Sequence, residues 1–265
     1  MSKRKLYTRI FVQLLRRDFL IFRKVLPNKL IDTSILVLGN LIIFTYIFPM
    51  RQVGGEQFDF ALFILGGSIF LFSFFDALAH TTVTVSDIEG DRTILHTLTL
   101  PIPSTLTFLQ IATSWALHYG LATLIVLPLA KLTLLSRFDM SQVNWLKFAL
   151  IYVTAYIFFG AFFLWLTSLI RRINSLAHIF IRVGNPMFMF GGYFFAWSQA
   201  EAIAPWFAKV ILINPLLYAF EGMRAVIVGG GHFISLYVCI SVLLTFSLVM
   251  GVDGICRLKR RLDCR

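Results

Sequence analysis

Charged residues are scarce in this chain: they make up 14% of its 265 residues, whereas hydrophobic residues make up 58%. Soluble domains carry about 25% charged residues. The mean hydropathy is correspondingly high, at +0.81. This composition excludes an ordinary soluble domain and predicts an integral membrane protein that forms one polytopic domain.

The sequence also lacks the motifs of several common chemical sites. It contains no G-x-x-x-x-G-K-[ST], no H-E-x-x-H and no G-x-S-x-G. Nucleotide binding by a P-loop and the two corresponding types of hydrolase site are therefore excluded. The three cysteines have no metal-ligand spacing, and their odd number gives no complete disulfide framework. We predict neither a catalytic residue nor a metal site.

Acids are rarer than bases: 13 Asp and Glu stand against 24 Lys and Arg, which gives a formal net charge of +11. Nine of the bases lie in the first 29 residues and five in the last ten. Bases beside membrane spans mark the cytoplasmic side, so this excess indicates orientation and not nucleic-acid binding. We expect a multi-pass protein of the cell inner membrane with both termini in the cytoplasm.

Apolar runs of about 20 residues, the length that crosses a bilayer, occur six times. The predicted fold is therefore an all-α polytopic membrane protein with six transmembrane helices. These spans occupy residues 30–50, 58–81, 106–130, 145–170, 179–197 and 234–255. Between the fifth and sixth spans, residues 199–231 predict one or two short re-entrant helices at the outer surface. There, Glu221 and Arg224 stand three apart on one helical face and form a candidate ion pair.

The N-terminal arm, residues 1–29, has the pattern of an amphipathic helix. Apolar residues recur in it at helical spacing, and bases occupy much of the other face. A basic helix that lies in the headgroup plane fits this pattern, and we expect Pro27 to end it. An ordinary soluble helical extension is the alternative. The six-span domain then covers residues 30–255, and residues 256–265 form a basic cytoplasmic tail.

One short polar segment, residues 87–103, separates the second and third spans. It opens with three acids, Asp87, Glu89 and Asp91, in an otherwise basic chain. The predicted orientation of the spans places it in the cytoplasm. Acids stabilise the N-terminus of a helix by about 0.3–1 kcal/mol, so the acids favour a short helix here. A solvated connection without a binding role is the alternative.

Aromatic rings and one polar pair are the candidates for function within the spans. Six rings form a candidate pathway for a hydrophobic or ring-shaped substrate: Phe70, Phe74, Phe188, Phe190, Tyr193 and Phe194. Lipid contact and helix packing would explain the same rings. Asp76 and His80 are four apart near the inner end of the second span. This spacing suits a metal or a proton relay, and an interfacial hydrogen-bonded pair explains it as well.

Several stretches of the chain resemble the permease subunits of ABC-2 type transporters. Residues 89–103, EGDRTILHTLTLPIP, are similar to the family's segment between the second and third spans, with Arg92 where many members have glycine. Residues 185–195, NPMFMFGGYFF, and residues 214–218, NPLLY, are similar to two later stretches. Together with the basic arm and the six spans, these motifs extend the resemblance over nearly the whole chain.

The resemblance implies a transporter subunit and not an enzyme. Such a permease exports a lipid-like, glycan-linked or hydrophobic substrate with ATP hydrolysed by a separate subunit, which binds ATP and Mg²⁺; no cofactor is implied in this chain. The implied partners are that ATP-binding cassette subunit, a second copy of the chain in a homodimer, and membrane lipids. The implied ATPase-coupling residues are Asp87, Glu89, Gly90, Asp91, Thr93, Leu95, Leu98 and Pro101. Leu95 and Leu98 are expected to insert into a groove of the ATPase.

Two other functions stay open. An intramembrane enzyme acting on lipid substrates would use Asp76, His80 and His96. A membrane anchor for a cytoplasmic complex would bind a partner without moving any substrate. For the transporter itself, free lipids, lipid-linked glycans and hydrophobic drugs are all candidate cargo.

Overall fold

The computed structural model describes residues 3–47, 50–53, 56–90, 93–170, 172–229 and 232–263. In this part of the chain, five helices are long and apolar enough to cross a membrane, or six if one bent helix pair counts as a span. This confirms the predicted helical, polytopic fold. In chain order the elements are α1 (Lys3–Tyr46), β1 (Met50–Val53), β2 (Glu56–Asp59), α2 (Phe60–Glu89), α3 (Thr93–Leu98), α4 (Ser104–Thr123), α5 (Val126–Leu134), α6 (Trp145–Leu169), α7 (Leu176–Ile179), α8 (Asn185–Met189), α9 (Trp197–Ile203), α10 (Pro205–Ile211), α11 (Pro215–Ile227) and α12 (Leu236–Asp263).

The arm and the first span form one continuous helix, α1, of 44 residues. At 1.5 Å per residue this is about 66 Å, roughly twice the thickness of a bilayer's hydrocarbon core. The prediction that Pro27 ends the arm helix is therefore wrong. An internal proline costs a helix about 3 kcal/mol. However, α1 is buried on both sides of Pro27, at Phe22 and at Val37 for example, and packs against α2, α4 and α5. This packing allows α1 to continue as a helix past Pro27.

A short β-hairpin, which the all-α prediction missed, follows α1. Strands β1 and β2 pair antiparallel, with Val53 opposite Glu56 and Met50 opposite Asp59. The sequence between the two strands is Gly54-Gly55. A Gly-Gly dipeptide is typical of two-residue hairpin turns, so the sequence did contain a signal for this hairpin.

Helix α2 lies at the centre of the bundle. Most of its apolar stretch is buried, whereas α1 and α12 bury little of theirs. Large rings of α2 and α6 fill the core, including Phe63, Phe70, Phe74, Phe158 and Phe162. Helix α2 also extends to Glu89, well beyond the predicted end of the span at residue 81. The acids Asp87 and Glu89 therefore belong to the last turn of α2 and not to the short helix that was predicted to begin with them.

The fifth predicted span, residues 179–197, is not a continuous helix. Helix α7, a π-helical stretch at Phe180–Gly184 and α8 form one short run, and no regular helix follows until α9 begins at Trp197. The helical run continues through Pro186, which stands at the start of α8, and ends at Met189. Gly192 has a φ of +75°, a left-handed conformation that commonly ends helices.

This interrupted segment still runs along α2, in the opposite direction. Phe188 packs edge-on against Phe75, with ring centroids 5.3 Å apart. Further along, the hydroxyl groups of Tyr193 and Ser68 are 2.9 Å apart. Non-helical backbone at membrane depth is tolerated only where protein covers it or water fills a cavity beside it. The segment meets the first condition because α2 and α11 cover it.

Three short helices, and not one or two, follow at the end of the bundle opposite α3. Helices α10 and α11 are bent by 100° relative to each other. Asn214 lies at the bend, and its side-chain oxygen accepts a hydrogen bond from the Leu216 N–H at 3.0 Å, which caps α11. Helix α11 is buried from Pro215 to Arg224, so it returns into the protein.

Candidate functional site

Helix α3 is held at the end of α2 by a single carboxylate, that of Asp87. Its Oδ1 accepts a hydrogen bond from the Thr93 N–H at 3.2 Å, and its Oδ2 accepts one from the Ile94 N–H at 3.1 Å. The Thr93 hydroxyl also donates to Oδ1. Helix N-termini carry unsatisfied N–H groups and partial positive charge, so a carboxylate placed there both caps and stabilises α3. Asp87 thus joins the two helices across the intervening turn.

Two further predicted coupling residues lie in the same turn. The Glu89 carboxylate accepts a hydrogen bond from the Ile173 N–H at 3.4 Å, which connects the end of α2 to the start of the interrupted segment. The Gly90 N–H donates to the Ser86 carbonyl at 2.8 Å and closes the last turn of α2. Pro101 is exposed beyond α3. Asp91 lies outside the described residues.

The apolar face of α3 is turned toward its own chain. Leu95 and Leu98 are half-buried against a cluster that includes Phe108 of α4, Leu164 of α6 and Leu258 of α12. The expectation that these two leucines insert into a groove of a partner therefore does not match their packing. Thr93, His96 and Thr99 form the exposed side of the α3 region. A partner would meet these polar side chains, while the leucines fix α3 to the ends of three long helices.

The six rings of the candidate pathway do not share one surface. Phe70 and Phe74 are fully buried in the core of the chain, where Phe70 packs against Tyr156 and Phe159. Tyr193 is also buried, and Phe188 is half-buried. Two rings are exposed, Phe190 by 47% and Phe194 by 42%. Within the described chain, therefore, Phe70 and Phe74 serve helix packing and line no open path.

Glu221 and Arg224 are both completely buried, and Arg224 Nη1 lies 3.4 Å from Glu221 Oε1. The guanidinium also donates to backbone carbonyls of the non-helical stretch. It reaches Gly192 O and Tyr193 O, each at 2.6 Å. Its Nε donates to the Phe63 carbonyl of α2 at 3.1 Å, and the group lies 3.6 Å from the centre of the Phe63 ring. Arg224 thereby supplies donors to the carbonyl groups of Gly192 and Tyr193, which lie outside any helix.

The other side of this pair organises the segments around α11. Glu221 Oε1 accepts from the Trp197 N–H at 3.4 Å, and Oε2 accepts from the Ile234 N–H at 3.2 Å. A carboxylate buried without such donors would be expensive, because transfer of a charge from water costs several kcal/mol. Glu221 of α11 thus binds the beginning of α9, through Trp197, and the residues before α12, through Ile234. The pair was expected at the surface, and its burial follows from the bend that turns α11 inward.

Polar contacts that the sequence did not indicate attach α1 to the bundle. Lys29 Nζ lies 2.7 Å from Asp76 Oδ1 of α2. Asp18 Oδ2 accepts hydrogen bonds from Gln110 Nε2 at 2.6 Å and from Ser114 Oγ at 2.8 Å, both on α4. A lone acid among the bases of the arm was the available signal for Asp18, but its two partners on α4 lie more than 90 residues away.

The spacing of Asp76 and His80 has a structural explanation. Asp76 is occupied by Lys29, and His80 packs among the rings of Trp115, Tyr119 and Phe163. Across the described residues, no group of three or more His, Cys, Asp or Glu side chains lies together in a way that could hold a metal ion. The candidate relay is therefore an interhelical ion pair beside an aromatic cluster.

Comparison with protein families gives a match over most of the chain. The family model described as ABC-2 type transporter matches residues 9–228, which include α2, α3 and all of α11. No curated protein matches the chain. The match begins inside α1 and ends directly after α11, so the Asp87 connection and the Glu221–Arg224 pair both lie within it.

Proposed function

Because the chain belongs to the ABC-2 type transporter family and is a transmembrane component of such a transporter, we propose that it is the permease subunit of an exporter. A separate ATP-binding cassette subunit hydrolyses ATP and binds Mg²⁺. Two copies of the chain form the permease in the cell inner membrane, with both termini in the cytoplasm. The cargo is a lipid-like, glycan-linked or hydrophobic molecule.

The observation that carries this proposal is the attachment of α3 to α2 through Asp87. A permease driven by a separate ATPase needs a surface element that the ATPase can contact and that moves as a rigid body. Helix α3 has these properties: its polar side is exposed, its apolar side is fixed to α4, α6 and α12, and Asp87 links it to α2. Displacement of α3 would therefore move the ends of several long helices together.

The same turn offers a second connection. Through Glu89, the end of α2 contacts Ile173, where the interrupted segment begins. That segment ends at the carbonyl groups held by Arg224. A partner shifts a conformational equilibrium only if its contacts differ between the two conformations. We therefore expect the Glu89–Ile173 contact and the Arg224 contacts to differ between the resting and the ATP-bound complex.

The central experiment is to purify the chain together with the ATP-binding protein encoded beside it and to measure ATP hydrolysis in lipid nanodiscs. We expect the two proteins to copurify. Asp87→Ala should reduce the hydrolysis that depends on the permease at least fivefold, and Glu89→Lys should weaken complex formation. Asp139→Ala, in the loop between α5 and α6, is the matched control and should change neither property.

Normal complex formation and normal hydrolysis in both Asp87→Ala and Glu89→Lys would overturn the coupling role. The two alternative functions predict other results. An enzyme acting on lipids would be active without the ATPase and would lose activity in Asp76→Asn. A membrane anchor would retain its partner while vesicles containing the complex export no lipid or hydrophobic dye.

A further inference from the structure

A cavity of about 420 Å³ lies between α1, α2 and α4 and reaches the beginning of α3. Ligand cavities in proteins commonly measure about 300–1,000 Å³, so this one can hold a small organic molecule. None of the six candidate pathway rings lines it. It is therefore separate from the pathway predicted from the sequence.

Aromatic side chains form the inner wall of this cavity. Trp115 is 3% exposed and stacks on Phe163, with ring centroids 4.9 Å apart and planes within 4° of parallel. Tyr119 lies against Trp115 at 4.1 Å. On the α1 side, Phe22 stacks on His118 at 4.4 Å. The faces of such rings carry partial negative charge and attract cations. Within the chain, Lys29 Nζ already lies 5.4 Å from the centre of the Tyr119 ring.

The charges of the lining favour a cation as well. Two carboxylates, Asp18 and Asp87, line the cavity. Lys29 lines it too, but its charge is offset by Asp76 at 2.7 Å. Asp87 accepts hydrogen bonds only from uncharged groups of Thr93 and Ile94 in the contacts described above.

A cationic partner, Arg17, lies beside Asp18 at 2.9 Å, but the side chain of Arg17 is 54% exposed and that of Asp18 only 19%. The guanidinium of Arg17 therefore approaches Asp18 from the solvent side. Water and salt screen the positive charge of Arg17 there, so it only partly offsets the negative charge of Asp18. Among the described residues, the lining keeps a negative balance, which disfavours an anionic headgroup and favours a positively charged one.

The opening of the cavity is apolar. Ile21 and Val25 of α1 and Val83 of α2 line it and are all strongly exposed. Exposed aliphatic side chains of this kind are compatible with lipid tails, which are as apolar as leucine. A molecule with an apolar body can therefore enter sideways from the membrane and leave that body between α1 and α2.

We propose that this cavity binds an amphipathic organic cation: an amine or quaternary ammonium head attached to an apolar body. The head lies between the ring wall and Asp18, and the body extends past Ile21 and Val83. The occupant touches Asp87, the carboxylate that holds α3, so it lies next to the part of the chain to which we assign ATPase coupling. Binding itself requires this chain alone, so a failure of the coupling proposal leaves this inference intact.

The test uses the full chain in phosphatidylglycerol nanodiscs, with empty nanodiscs subtracted to remove partitioning into lipid. The probe is benzyldodecyldimethylammonium, and its uncharged counterpart is N-benzyl-N-methyldodecanamide. Equilibrium dialysis should show saturable binding of the cation, at least tenfold tighter than binding of the amide. Equal binding of the two molecules, or no saturable binding of the cation, would overturn the proposal on the unaltered protein.

Two pairs of variants locate the site. Asp18→Asn and Trp115→Leu should each weaken binding of the cation at least tenfold. Glu201→Gln and Trp206→Leu, both exposed at the opposite end of the bundle, are the matched controls and should bind it normally. Asp18→Glu restores the carboxylate and should recover most of the affinity. Normal binding by both Asp18→Asn and Trp115→Leu would exclude this cavity as the site.

The same cation could be the headgroup of a lipid or a free amphiphile. Replacing half of the phosphatidylglycerol with phosphatidylethanolamine separates these sources. If amine lipids occupy the cavity, the apparent affinity for the probe should fall at least threefold in the mixed nanodiscs. If the affinity is unchanged, the ligand is a free amphiphilic cation. Either result agrees with a cation site.

Discussion

Arg224 is among the largest fully buried side chains of the described protein, and each nitrogen of its guanidinium has a partner. A buried charge is tolerated only when it is paired and hydrogen-bonded. Here, the partners are Glu221 and carbonyl groups of the backbone around Gly192 and on α2. At the scale of single residues, one arginine thus replaces the hydrogen bonds that a broken helix cannot make.

Removal of this arginine should be costly. Arg224→Met leaves the Glu221 charge buried without its partner, and loss of one member of a buried pair costs about 3–5 kcal/mol. SDS-induced unfolding in mixed lipid micelles measures the change in the free energy of unfolding. Glu221→Gln in addition to Arg224→Met should recover part of the loss, and Lys209→Met, at an exposed base, should cost little. Unchanged stability of Arg224→Met would contradict the role of the pair.

Glycine at position 67 provides the space that Arg224 and Tyr193 occupy. A Cβ there would lie 2.7 Å from the Tyr193 ring and 3.2 Å from Arg224 Nη2. Overpacking of this kind costs about 1–3 kcal/mol, so Gly67→Ala should destabilise the protein in the same unfolding assay. Gly39→Ala is the control, since a Cβ at Gly39 has no atom within 4 Å and alanine favours a helix. Equal effects of the two substitutions would show that the close packing at Gly67 is unimportant.

At the scale of elements, local sequence signals were overruled where long-range contacts were strong. Pro27 should end a helix in isolation, but α1 continues because its neighbours contact it on both sides. The fifth span was predicted from a run of apolar residues, yet its helix ends at Met189, and Gly192 beyond it has a left-handed conformation. A short helix was predicted to begin with the acids, but α3 begins after them, at Thr93, and Asp87 caps it from α2.

The Asp87 contact leads to a prediction about local stability. Loss of a capping side chain costs a helix about 1 kcal/mol. In Asp87→Ala, amide hydrogen exchange of residues 93–100 should therefore become roughly fivefold faster, because about 1 kcal/mol corresponds to that factor. Exchange within α6 should not change. Asp87→Asn, which can still accept a hydrogen bond, should have a smaller effect; equal exchange in all three proteins would mean that Asp87 does not hold α3.

At the scale of the whole molecule, the helices pass back and forth between two ends. One end holds α3, and the other holds the β-hairpin and the bend between α10 and α11. The arrangement agrees with the distribution of the bases, because the basic tail at the end of α12 packs near α3: Leu262 belongs to the cluster that supports Leu95. The bases of this tail and the α3 region thus share one end of the bundle.

This arrangement predicts the sides from which the chain can be labelled. His96→Cys on α3 should react with a membrane-impermeant maleimide in inverted vesicles but not in intact spheroplasts. Ser141→Cys, in the exposed loop between α5 and α6, should show the reverse. Both substitutions are made in a chain whose own cysteines are replaced. Labelling of both positions from the same side would disprove the predicted topology.

The sequence alone determined that this protein lies in a bilayer, the approximate position of five of its spans and the family to which its motifs belong. Scarce charge, long apolar runs and the placement of bases are local properties, and the bilayer selects for them directly. Glu221 and Arg224 were also visible as a pair, because helical spacing is local.

Only the tertiary structure decided what these residues do together. The contacts of Asp18 with α4, of Lys29 with Asp76 and of Arg224 with the carbonyl groups near Gly192 join segments far apart in the chain. No local pattern specifies such contacts, since they arise when helices pack and buried polar groups must find partners. The cavity between α1, α2 and α4 exists for the same reason: its walls come from distant segments that meet only in the folded protein.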